Sequence, residues 1–121
     1  MTPRISELCA LLQEANFDPW ESVSSVLHLT GPRAERLKAH ILETKQNDWK
    51  LIGSVVQVPL PPADLASMLE YELQVLRNLE DSSLDLPLQY CDREMTVAGM
   101  IRLSARHSVW HAGQMALKHL D

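Results

Sequence analysis

The feature that most constrains this chain is the stretch from Thr96 to about His119. No proline interrupts it, its two glycines stand isolated, and apolar residues recur on nearly every side. At about 100° per residue, a helical wheel centred on His107 places Met100, Leu103, Ser104, His111, Gln114 and Met115 on one arc. Ala105, Val109, Ala112 and Ala116 line up on the opposite side. A helix apolar all round is covered on both faces, which places it inside a helical assembly. Its small-residue face either packs on another element of the same chain or meets a second chain. We expect a homodimer through that face.

The rest of the chain reads as further helices. Ile5, Leu8, Leu11 and Leu12 give helical spacing from Arg4 to Ala15. Asp18-Pro19-Trp20-Glu21 has the form of a fresh start, with a capping acid, proline at the first helical position and a capping-box glutamate. Val23, Val26, Leu27, Ala34, Leu37 and Ile41 then predict a second helix to about Lys45, interrupted at Gly31-Pro32. A third follows Asp64, with Leu65, Met68, Leu69, Leu73, Leu76 and Leu79 on one stripe. Asp81-Ser82-Ser83 closes it, and a polar loop with Pro87 runs to about Met95. Thr96 caps the fourth. Strand alternation is not evident, so the expected class is all-α, a four-helix bundle with a short first helix. Residues 46–60 form a connection longer than the usual link between antiparallel neighbours, which suits a crossover between helices 2 and 3.

Composition removes several functions. Eleven lysines and arginines against 16 acids leave a net charge of -5, so there is no basic field for a nucleic-acid backbone. No apolar run approaches the roughly 20 residues that span a bilayer. The 121 residues suit one domain, 1–121. Met1-Thr2-Pro3-Arg4 leads toward Glu7 and does not read as a secretory leader. Cys9 and Cys91 lie far apart and read as reduced thiols; a cytoplasmic protein is expected.

Chemistry concentrates in the five histidines. His107 and His111, four residues apart, stack on one helix face, the geometry two imidazoles need to share a metal ion. The bland alternative is a pair of half-buried rings bonded to carbonyls or water. A metal site needs a third ligand, which periodicity does not name. His28 flanks the stripe of helix 2, whereas His40 and His119 fall near expected helix ends and read as solvated.

Two segments carry a resemblance. Trp20-Glu21-Ser22-Val23-Ser24-Ser25-Val26-Leu27-His28-Leu29 resembles the second-helix segment of DinB/YfiT-like proteins. The run from Thr96-Val97-Ala98-Gly99-Met100 through His107-Ser108-Val109-Trp110-His111-Ala112-Gly113-Gln114 resembles that family's last helix. The resemblance implies a bundle with a crossover between helices 2 and 3 and a site in which His28, His107 and His111 hold a divalent ion, zinc or nickel foremost. It also implies a homodimer, an association with stress response, and a transferase or hydrolase acting with a low-molecular-weight thiol or metal-bound water. Three neutral imidazoles leave such an ion its full charge and an open position, lowering the pKa of a bound water or thiol. Ser104, Gln114 and Glu35 are the candidates to orient the rings. A DinB-like metal-binding protein without catalysis and a plain helical interaction module are the alternatives.

Overall fold

Helices start where a side chain can accept an unpaired backbone N–H. The computed structural model describes residues 1–117. It contains four α-helices: α1 (Pro3–Phe17), α2 (Pro32–Ile52), α3 (Leu65–Arg77) and α4 (Val97–Ala116). Thr2, Asp64 and Thr96 cap α1, α3 and α4 by accepting from the N–H groups of Ile5, Ser67 and Gly99. The fourth helix was expected to reach His119, which lies outside the described residues.

Two expectations are corrected. Asp18 to Gly31 is not the first part of a helix. The Asp18 carboxylate accepts from Trp20 N–H, while Ser22 and Ser25 bond each other's backbone, so the polar side chains compete with helical pairing. Glu21 has φ 54°, which a helix cannot contain, and only a single 3-10 turn, Ser24–Val26, forms. The second helix begins instead at Pro32, after Gly31 at φ 109°, a conformation open to glycine and strained for other residues. It continues to Ile52, past the expected end at Lys45 and into the expected connection 46–60, and Pro32 is a start and not a kink. The second correction is a hairpin, β1 (Pro87–Tyr90) with β2 (Arg93–Thr96), where a loop was expected. Its strands are four residues each, too short for alternation to register, and its core contact is Leu88.

Contacts fix the helix directions. Arg4 near the start of α1 bonds Asp81 and Asp85 beyond the end of α3, whereas Asn16 near its end bonds Glu72 in mid-α3. These two helices are therefore antiparallel. Arg33 donates to the Gln114 carbonyl and Lys45 to Ser104, so α2 and α4 are antiparallel too. The N–H of Val97 bonds Leu86, which brings the start of α4 to the same end as the start of α1. It follows that α2 and α3 run parallel, joined by a connection, 53–64, that begins with a turn. Around the bundle the order is α1, α3, α2, α4, with α1 diagonal to α2 and α3 diagonal to α4.

The core contains one carboxylate that touches the other three helices. Glu72 of α3 accepts from Asn16 of α1 at 2.9 Å, from Lys45 and Trp49 of α2 at 2.6 and 2.7 Å, and from Ser104 of α4 at 3.4 Å. Lys45 and Glu72 side chains are each 1% exposed. A buried pair this dry is tolerated only when its remaining lone pairs and protons are satisfied, and here both Glu72 oxygens are. The clasp holds α2 against α4 along the edge where the histidines stand.

Candidate metal centre

His40 stands near the middle of α2, His107 and His111 one turn apart on α4. The antiparallel pairing of the two helices brings all three to one level. One nitrogen from each ring lies within 4.8 Å of the others. His107 Nε2 and His111 Nε2 are 3.0 Å apart. His40 meets His111 with ring centres 4.5 Å apart and His107 at 5.4 Å, both edge to face. His40 is exposed and the two α4 rings are half-buried, so the cluster opens to solvent.

The surroundings orient the rings. His111 Nδ1 lies 2.7 Å from Gln114 Oε1. The amide oxygen only accepts, so Nδ1 carries the proton, and the Nε2 lone pair of His111 faces the cluster; this tautomer is assigned from the hydrogen-bond network. Burial lowers the His107 pKa below the ordinary histidine value, reinforced by His111, His40 and the Lys45 ammonium. All these causes favour neutral imidazole, the form that ligates a metal.

The three converging histidines differ from the expected set in one member. His28 is exposed in the segment before α2 and is not in the cluster; His40, expected to be solvated near a helix end, takes its place. The reason is the end of α2: the helix runs past the expected stop at Lys45 to Ile52, so His40 stands inside it and faces α4. Gln114 contacts the His111 ring. Ser104 turns to Glu72 and Lys45, and Glu35 is a surface residue paired with Lys38 at 3.2 Å. On the small-residue face of α4, Ala105 and Ala112 are buried within this chain, Val109 is half-buried and Ala116 exposed. No helix among the described residues is long and apolar enough to cross a membrane.

Lys45, Asp48 and Glu72 were not anticipated. The signal was present: the stripe Ala34, Leu37, Ile41 continues at the same spacing through Lys45 and Asp48 to Ile52. Polar residues on an apolar stripe mark a buried network as well as a helix end. Comparison of the chain with protein-family models, with curated proteins and with solved structures returns no match.

Proposed function

We propose that this protein binds a divalent metal ion of the zinc or nickel class through His40, His107 and His111, in a helical bundle of the DinB/YfiT-like kind. The observation that carries the reading is the convergence of three ring nitrogens from two helices within 4.8 Å. Nitrogen ligands sit about 2.0–2.1 Å from zinc, a separation that a small ring adjustment reaches from this arrangement. His111 presents its Nε2 lone pair because Gln114 holds the opposite proton, and His107 is kept neutral by its burial. Three histidines leave a further coordination position, and the solvent-facing side of His40 is where water or a small thiol enters. An ion bound there supplies Lewis acidity and lowers the pKa of a water or thiol on that open position. The reaction class this supports is transfer to, or hydrolysis of, an electrophile by a low-molecular-weight thiol or water.

A second reading, metal binding without turnover, is favoured by the exposure of His40 and by a cavity of about 570 Å³ lying on the other side of α4. The decisive measurement is bound metal after purification without a histidine tag. His40→Ala, His107→Ala and His111→Ala should each lose most of it, while His28→Ala retains it. Equal metal in all four variants rules the site out. Turnover is then read as thiol consumption with a model electrophile, dependent on His107. Full metal occupancy without such a rate selects the second reading.

A further inference from the structure

The segment from Trp20 to His28 is left without a role by the histidine cluster. It forms one wall of a cavity of about 570 Å³ on the side of α4 opposite the three histidines, within the size range of small-molecule sites. Val109, Ala112 and Gly113 of α4 make an apolar floor, and Trp20 stands at the edge with 76% of its surface exposed.

Glu21 and His28 line the cavity together with Ser22 and Ser25. Neither the Glu21 nor the His28 side chain has a hydrogen-bond or ion-pair partner among the described residues, whereas the neighbouring Ser22 and Ser25 hydroxyls are bonded to backbone. Glu21 is held at φ 54°, a left-handed conformation that costs a residue with a side chain about 1 kcal/mol or more. The adjoining groove on the far side of Trp20 adds Glu14 and Asp18 against a single cation, Arg106. An exposed aromatic face bordered by carboxylates is complementary to positive charge: the ring quadrupole and the acids attract the same ligand.

We propose that this cavity binds a small organic ammonium ion bearing an apolar or aromatic substituent. The ammonium lies against the Trp20 ring and donates to the Glu21 carboxylate, with a His28 ring nitrogen within the same cavity wall. The substituent covers Val109 and Ala112. The site is separate from the metal cluster and its occupancy does not require an ion.

Isothermal titration of the whole chain with benzylammonium tests this, with benzyl alcohol and benzoate as controls. Saturable binding of the cation is expected, with the neutral and anionic probes at least tenfold weaker. Glu21→Gln should weaken it roughly tenfold, the worth of one charge-assisted hydrogen bond, and Trp20→Ala by a similar factor. Gly113→Leu should abolish it: a Cβ at Gly113 meets nothing within 4 Å, so the leucine fills the cavity, and helix propensity improves. Circular dichroism and metal content of that variant should match the parent. No saturable binding, equal binding of the three probes, or undiminished binding by Gly113→Leu overturns the assignment. So does sedimentation as a dimer that Gly113→Leu converts to monomer, which gives the face to a second copy of the chain.

Discussion

Gln114 illustrates how much a single neutral side chain decides. Its amide oxygen, 2.7 Å from His111 Nδ1, selects one of two tautomers, and with it the direction of the lone pair that faces His40 and His107. Residues that orient a ligating histidine in this way are worth roughly 10–100-fold in metal affinity. Gln114→Ala should therefore weaken divalent-ion binding by about that factor while leaving stoichiometry at saturation unchanged, as read by competition with a chromogenic chelator. Gln114→Glu, which keeps the acceptor and adds charge, should restore or exceed the parent affinity. Cys91 marks a different residue-scale constraint. At φ 53° it occupies a turn position where Asn or Gly is the usual choice.

Among the elements, the hydrogen bonds on Glu72 tie α3 to α1, α2 and α4 through Asn16, Lys45, Trp49 and Ser104. Removing one member of a buried pair leaves an uncompensated charge, which costs about 3–5 kcal/mol. Glu72→Ala should lose stability of that order in urea denaturation. The double variant Lys45→Met with Glu72→Leu should lose less than the sum of the two single changes, because no charge is left stranded. The clasp also explains what was readable from sequence. The α3 and α4 stripes, with Asp64 and Thr96 as caps, are found where leucine, methionine and capping spacing place them. The site was legible in its α4 half, since His107 and His111 depend only on helical periodicity. His40 was not, because it lies inside the helix only once α2 runs past the expected end at Lys45 to Ile52. The capping pattern at Asp18-Pro19 and the glycine-proline pair at Gly31-Pro32 both signal a start, and only tertiary contacts decide between them. Asp18, Ser22 and Ser25 settle the matter by bonding locally, and the first signal is spent on a turn.

For the whole molecule, Asp48 sets how stability varies with pH. Burial pushes its carboxyl up from 3.8 to about 7, with Glu72 adding to the effect and Lys45 and Ser104 opposing it. The folded state therefore holds a proton that the unfolded chain releases above pH 3.8. This group's contribution is full below that pH, falls as pH rises toward about 7, and is flat beyond. Asp48→Asn cannot ionise. It should match the parent near pH 4 and exceed it at pH 8 by on the order of a few kcal/mol, measured by urea midpoints across the range. Asp48→Asn no more stable than the parent at pH 8 would contradict this account of the buried network. The order of helices around the bundle has its own consequence for how the chain comes into being. Synthesis delivers α1 and α2 first, and these are diagonal partners; the helices that flank α1 are α3 and α4, both in the second half. Neither early helix can cover its apolar stripe until Leu65 to Arg77 has emerged, and α1 gains its second flank only with α4. The fold has no autonomous N-terminal half. A nascent chain must carry α1 and α2 uncovered until α3 has emerged, a period of exposure that a bundle with consecutive neighbours would avoid.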